Sequence, residues 1–278
     1  MGPPSSGGVA VAQMLGQLER FDLAALGPDS ATFWHLFLES QRLAYADRGL
    51  YIGDADFVPV PVTGLVGPAY LAERSALISP DTALPQAKPG EPQGGQVAMA
   101  PGDRPFEQGT THFSVVDKDG NAVSYTSTIE GAFGSGLFFE GFYLNNELTD
   151  FSSRPESDGK PVANRVEGGK RPRSSMAPTI VFDDKGEVAL VVGAAGGPTI
   201  PVQTARSIIG VVDFGLNANE AVALPIIMAF GPSVIYEEGS FLEGMQDEFK
   251  ALGHTRIRGA GLPLKANALR RVTDKHGA

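Results

Sequence analysis

The residue types most able to carry chemistry lie at Gly109-Thr110-Thr111-His112-Phe113-Ser114-Val115-Val116-Asp117. Small and hydroxyl side chains lead there into an alternating strand, directly after a Pro/Gly/Gln-rich stretch with no periodicity. Two readings fit a hydroxyl at such a break. It is the new N-terminus of a self-cleaving hydrolase, or it is simply the first residue of a strand. Other chemistries are narrowed by what the chain lacks. There is no cysteine, hence no thiolate nucleophile, disulfide or Cys-ligated metal. The four histidines (His35, His112, His254, His276) lie far apart. None falls in a His-x-x-x-His spacing, so no metal and no other cofactor is expected. By residue type alone, Glu147 and Asp150 read as a solvated turn and Lys170-Arg171-Pro172-Arg173 as a basic loop. Thr128 reads as a strand threonine, and Gly193-Ala194-Ala195-Gly196-Gly197 as a strand-to-helix turn.

The elements that must position these residues follow from periodicity. Val11, Met14, Leu15 and Leu18 predict a helix over Val9 to Phe21. Asp29-Ser30 supplies the N-cap of a longer helix through about Ala46, ending near Asp47-Arg48-Gly49. Its stripe of Phe33, Leu36, Phe37, Ser40, Leu43 and Ala44 belongs to the core. Phe57-Val58-Pro59-Val60-Pro61 is expected to be extended, because residues before proline avoid the α region. Pro68 to Leu77 reads as a third helix. Residues 79 to 109 hold six prolines and several glycines. So long a stretch without pattern is expected to be functional or disordered, and an exposed, cleavable linker fits.

From Thr111 the pattern becomes β-rich. A hairpin turns at Asp119-Gly120 and returns through Ala122 to Thr128. A glycine-rich loop, Gly131 to Gly136, and a short apolar piece, Phe142-Tyr143-Leu144, follow. Residues 151 to 173 read as a loop. Ala177 to Phe182 and Glu187 to Val192 form a second hairpin. Helices are expected from Thr199 to Phe214, Asn219 to Ala229 and Phe241 to Leu252, with strands at Val234 to Tyr236 and Thr255 to Ile257. Helices on both outer sides of antiparallel hairpins indicate an α+β fold, an αββα sandwich. Tight hairpins argue against a doubly wound parallel sheet.

The 278 residues suffice for one large domain or two small ones. With 42% hydrophobic residues a substantial core is available. A net charge of −10 argues against nucleic acid as a partner. No apolar run is long enough to span a bilayer. The first residues, Met1-Gly2-Pro3-Pro4-Ser5-Ser6-Gly7-Gly8, lack the basic start and apolar core of a signal peptide. They read like the interior of a longer protein.

Taken together, Pro3-Pro4-Ser5-Ser6-Gly7-Gly8, Tyr45-Ala46-Asp47-Arg48, Thr110 to Asp117, Leu144-Asn145-Asn146-Glu147 to Asp150-Phe151, Lys170 to Met176 and Gly193 to Gly197 resemble the γ-glutamyltranspeptidase (glutathione hydrolase) family of N-terminal-nucleophile hydrolases. The resemblance runs over nearly the whole chain. It implies a precursor that cuts itself between Gly109 and Thr110, giving large and small subunits from one chain. Residues 1–109 would be the C-terminal part of the large-subunit segment, ending in a flexible linker. Residues 110–278 would be the small-subunit segment, starting at the nucleophile. The freed α-amine of Thr110, with a reference pKa near 8, would activate its own hydroxyl. By family match Thr128 would orient Thr110, and the backbone N–H groups of Gly196 and Gly197 would form the oxyanion hole. Glu147 and Asp150, with Asn146 beside them, would hold the donor's α-ammonium. Ser174 and Ser175 would hold its α-carboxylate.

The implied substrates are glutathione or other γ-glutamyl compounds, with water or an amino acid as acceptor. A periplasmic or secreted location is expected by the same resemblance. Three departures stand out. Glu130 takes the place of a usual asparagine that touches the substrate amino acid. Arg173 replaces a more usual leucine. Residues 151 to 171 are shorter than the lid loop of members with a covered pocket. Two alternatives accompany the leading expectation: an acylase for glutaryl-type β-lactam side chains, and an inactive fragment of the enzyme. The chain's last residues, Thr273 to Ala278, stand where a final strand is expected.

Overall fold

A computed structural model describes residues 1–95, 99–102, 109–262 and 265–272. Its first part is helical: α1 (Gly7–Leu18), α2 (Leu23–Leu26), α3 (Ala31–Tyr51), α4 (Val62–Leu65) and α5 (Pro68–Ala76). The hydroxyl of Ser30 caps α3 by accepting from the Phe33 N–H at 3.3 Å, as its position before the apolar stripe predicts. The helix does not stop at Asp47-Arg48-Gly49 but runs on to Tyr51. The reason is that these polar residues point inward. Asp47 is fully buried. It accepts from Gln13 Nε2 at 2.8 Å, Tyr70 Oη at 2.8 Å and the Gly90 N–H at 2.9 Å, and it pairs with Arg74 at 3.3 Å. Burial pushes its carboxyl above the usual range, against the pull of Arg74. A buried carboxylate is tolerable only with such partners. Phe57 and Val58 also depart from the extended expectation, since both N–H groups donate to the Asp54 carbonyl in a turn.

The stretch after α5 forms no helix or strand among its described residues, as expected, but it is docked. The Tyr51 hydroxyl donates to the Gly90 carbonyl at 2.6 Å. The Ala100 N–H donates to the Pro161 carbonyl at 2.9 Å, and the Gly102 N–H to the Gly49 carbonyl at 3.0 Å. The remainder of the expected linker, 96–98 and 103–108, lies outside the described residues.

The second part carries the sheets. β1 (Thr110–Val116) and β2 (Ala122–Thr128) pair antiparallel, with Thr110 opposite Thr128. Short pairs follow: β3 (Phe138–Phe139) with β4 (Phe142–Tyr143), and β5 (Glu156–Ser157) with β6 (Lys160–Pro161). β7 (Thr179–Phe182) and β8 (Val188–Ala195) form the expected second hairpin. Next come α6 (Ile200–Val212) and α7 (Ala218–Ala223). The helix expected to reach Ala229 ends early, because Pro225 forces Leu224 out of the α region (ψ 142°). The apolar run beyond is strand β9 (Ile227–Phe230), paired antiparallel with β10 (Ser233–Glu237). After α8 (Gln246–Ala251), β11 (Ile257–Ala260) adds parallel to β10. β12 (Lys265–Arg270), not anticipated from the sequence, pairs with β8 to give the order β12-β8-β7. Thr273 to Ala278 lie outside the described residues.

Alternation along β8 separates two layers. Leu190, Val192 and Ala194 join Met14, Phe33, Trp34, Phe37 and Val202 in one hydrophobic core with α1, α3 and α6. Each large side chain buried there contributes about 1.5–3 kcal/mol. Gly193 faces the other way, onto the His112 ring of β1; a Cβ there would lie 2.3 Å from the ring. The β1–β2 hairpin therefore lies against the second face of β8. It is held by polar groups: Ser124 Oγ donates to the Val192 carbonyl at 3.0 Å, and Ser114 Oγ to Asn267 Oδ1 at 3.0 Å. Its apolar side chains point outward, Phe113 47% and Tyr125 49% exposed. The arrangement is α+β, a helical layer on a sheet with a second sheet against it. Among the described residues, no helix is long and apolar enough to cross a membrane.

Candidate active site

Strand geometry places Thr110. Side chains alternate along β1 with period two, so Thr110 shares the inward face of His112 and Ser114. His112 packs on Gly193, and Ser114 Oγ reaches the Val191 carbonyl at 3.5 Å. Two residues forward on β1 thus match two residues back on β8. Continued one step the other way, this match directs Thr110 toward the Ala195 end of β8, which leads into Gly196-Gly197. Those glycines hold φ values of 129° and 57°, which a side chain would oppose. The Gly196 carbonyl accepts from the Thr199 N–H at 3.2 Å and its hydroxyl at 2.9 Å, closing the turn into α6.

Opposite Thr110, the Thr128 hydroxyl accepts from the Glu130 N–H at 2.8 Å. Its own proton is left to donate elsewhere. Glu130 sits at φ 70°, rare for a side chain with a Cβ. Asn146 sustains it: Nδ2 donates to Glu130 Oε2 at 2.6 Å, and Oδ1 accepts from the Gly131 N–H at 2.7 Å. The Glu130 carbonyl lies where a Cβ on Gly109 would come within 2.2 Å, and Gly109 itself has φ 95°. Gly109, Thr110, Thr128, Glu130 and Asn146 are therefore brought together.

Glu147 and Asp150 lie on a 3-10 turn just beyond Asn146, and Asp150 is buried. Burial overturns the solvated-turn reading for Asp150. Asn164, a residue no local pattern singles out, joins this turn to the next segment. Its Nδ2 donates to the Asp150 carbonyl at 2.8 Å, and its Oδ1 accepts from the Arg173 N–H at 2.8 Å.

Ser174 and Ser175 follow Arg173 and are held by the N-terminal motif. Ser5 bridges Ser174 in parallel, and the Ser174 carbonyl accepts from the Ser6 N–H at 2.8 Å and hydroxyl at 2.7 Å. Arg48 donates through Nε to Ser6 Oγ and through Nη2 to Ser175 Oγ, both at 2.7 Å. Arg48 thus fastens the Ser174-Ser175 segment, a role its place in a polar helix end only hinted at. The neighbouring cations are clamps rather than a solvated basic loop. Lys170 Nζ donates to the Ala163 carbonyl at 2.8 Å, and Arg173 is buried with Nη1 on the Arg48 carbonyl at 3.1 Å. Arg171 grips Asp54 and holds that carboxyl far below its usual range.

Away from these residues, His35, Glu39 and His254 form a buried cluster whose donor atoms lie within 4.8 Å of one another. His35 Nε2 stands 2.8 Å from the Ser79 carbonyl, and His35 Nδ1 stands 2.8 Å from His254 Nε2. Burial, with His35 and Arg42 nearby, pushes the His254 imidazole down to about 4. The sequence spacing concealed this group, because His254 joins it across 219 residues.

A family profile described as Gamma-glutamyltranspeptidase matches residues 1–275. A "Glutathione hydrolase proenzyme" of Bacillus subtilis (strain 168) is 40% identical over 261 residues, covering 91% of this chain and 43% of that protein. An acylase proenzyme from a Pseudomonas strain is 35% identical over 271 residues, covering 96% of this chain and 45% of its own length. A crystal structure of a mutant Helicobacter pylori gamma-glutamyltranspeptidase superimposes with a TM-score of 0.53 at 35% identity, covering 60% of this chain and 94% of that one. The chain spans less than half the length of the curated relatives named here.

Proposed function

The chain belongs to the γ-glutamyltranspeptidase family, and from that premise we propose that it carries the nucleophile half of a γ-glutamyl hydrolase and transferase. One observation supports the reading: Thr110 pairs with Thr128 at the start of β1, a strand whose next inward residues, His112 and Ser114, pack on Gly193 and Val191 of β8. The Thr110 hydroxyl attacks the Gly109 carbonyl. The peptide nitrogen leaves as the Thr110 amine, and water hydrolyses the resulting ester. The freed amine then takes the proton from its own hydroxyl. In turnover, Oγ attacks the γ-amide of glutathione or a similar donor, the N–H groups of Gly196 and Gly197 hold the oxyanion, and the leaving amine departs protonated. Water or an amino acid resolves the γ-glutamyl-enzyme. Thr128 orients Thr110. Glu130, Asn146, Glu147 and Asp150 face the donor's ammonium, and Ser174 and Ser175 its carboxylate.

In this reading residues 1–109 and 110–278 become separate polypeptides held by the contacts described above. The two stacked sheets are the inner layers of an αββα sandwich, and the second helical layer covers the bare apolar face of β1–β2. The acylase alternative has less support: the acylase relative is the more distant of the two, and a glutaryl group offers no ammonium to an acidic cluster.

The test is incubation of the purified protein followed by intact-mass analysis and assay on a γ-glutamyl anilide. Cleavage before Thr110 and release of the aniline are expected, and Thr110→Ala should abolish both. A Thr110→Ala protein that still cuts at that bond would show that the nucleophile lies elsewhere. An intact, folded and inactive parent would support the fragment alternative and leave family membership standing.

A further inference from the structure

His35, Glu39 and His254 take no part in the acyl transfer above, yet three buried groups of metal-binding type converge there. We propose that His35, Glu39 and His254 form a binding site for a divalent transition-metal ion of zinc type, which clamps residues 79–84 to α3 and to the loop before β11. The donor set is two imidazoles and one carboxylate, a combination suited to zinc and its neighbours rather than to magnesium or calcium. His35 and Glu39 stand four residues apart on α3, hence on one face of the helix. His254 supplies the third donor from the far end of the chain, and all three side chains are buried.

The groups behind these donors already orient them. His35 Nε2 donates to the Ser79 carbonyl, so Nδ1 of the neutral ring keeps its lone pair turned toward the site. Backbone support of this kind is common behind metal-bound histidine. Glu39 Oε2 accepts from the Leu84 N–H at 2.6 Å and Oε1 from Arg42 Nη1 at 2.7 Å. Each oxygen then retains a lone pair for an ion. A cavity of about 420 Å³, lined by Leu84, His254, Arg42 and Arg256 among others, opens at His254. Of the three donors, His254 alone borders that cavity, so an ion would enter from the His254 side.

His254 Nε2 stands 2.8 Å from His35 Nδ1; because His35 Nε2 donates to the Ser79 carbonyl, the neutral His35 ring accepts there from His254. Two bonds of about 2.0–2.1 Å in tetrahedral geometry would set those nitrogens about 3.3 Å apart. The rings therefore part by roughly half an ångström, and the proton on His254 Nε2 passes to its Nδ1 with no net release.

The experiment uses the purified protein after chelator treatment, titrated with Co²⁺ and separately with Zn²⁺. Expected are visible d–d bands saturating at one equivalent of Co²⁺, a rise in melting temperature with Zn²⁺, and binding weakened about tenfold or more in His254→Gln. Ring-nitrogen NMR of the unsubstituted protein keeps the test independent of how variants fold: Zn²⁺ should shift His35 Nδ1 and His254 Nε2. A folded protein with no Co²⁺ bands and unmoved His35 and His254 signals would overturn the proposal and leave a self-contained histidine pair. Unchanged binding in a folded His254→Gln protein would overturn it equally.

Discussion

The Nη2 of Arg48 donates to the Ser175 hydroxyl at 2.7 Å across 127 residues of sequence. The same guanidinium reaches Ser6 through Nε, so one side chain on α3 gathers the N-terminal motif and the serine pair. A point-charge amine cannot reproduce that fork. Arg48→Lys is therefore expected to raise the KM for a γ-glutamyl donor about tenfold, the value of one charge-assisted hydrogen bond, with a smaller effect on kcat. Steady-state kinetics on a γ-glutamyl anilide decides it. An unchanged KM in a folded variant would remove Arg48 from the positioning of Ser175.

Asn164 joins two backbone groups of separate segments, the Asp150 carbonyl and the Arg173 N–H. Asn164→Ala strands the buried Asp150 carbonyl and Arg173 N–H, each worth about 1–3 kcal/mol when left without a partner. A loss of about 2–4 kcal/mol in urea unfolding is expected. A variant within about 0.5 kcal/mol of the parent would mean that other groups satisfy both atoms.

Thr128 is expected to matter through its oxygen. Thr128→Val keeps the shape but removes the acceptor for the Glu130 N–H. It should slow cleavage at Gly109-Thr110 about tenfold or more, on the scale of one lost hydrogen bond, while Thr128→Ser restores the rate. Time-resolved intact-mass spectrometry reads both. Equal rates in the Val and Ser variants would assign the slowing to packing.

His112 gives a pH dependence with a definite sign. Burial against Gly193 pushes its imidazole below the ordinary value of about 6.5. The unfolded chain then takes up a proton in a range where the folded chain does not. Its stabilising contribution is complete above about pH 6.5 and is lost as pH falls through the depressed folded value. The urea midpoint should drop between pH 7.5 and 5.5, and His112→Gln should reduce that drop. An equal drop in the variant would move the effect to other groups.

Much of the fold was legible because apolar period marks α1, α3, α5 and α6, a Ser30 cap adds to it at α3, and turn residues mark the two hairpins. The misreadings have local causes. Asp47 and Arg48 look like a helix end because polarity ordinarily marks exposure, whereas here a network of partners removes its cost. Ile227 to Ala229 is too short an apolar run for periodicity to separate strand from helix, and the effect of Pro225 decides it. In β1 and β2 the polar side chains face the β12-β8-β7 sheet and the apolar ones face out, so alternation marks the strand and misleads about its inner face. At the site, motifs marked Thr110, Asn146, Glu147, Asp150, Ser174 and Ser175. Asn164 and the link from Arg48 to Ser175 were hidden, because a tie between distant segments has no sequence period.

The hydrogen bond from Gly102 to the Gly49 carbonyl sets a leash. A cut after Gly109 would leave a free carboxylate seven residues beyond that anchor. A fully extended chain of seven residues spans at most about 25 Å. By contour length alone, a severed end would be able to withdraw from Thr110 and yet, with that bond intact, would stay within reach of the new amine.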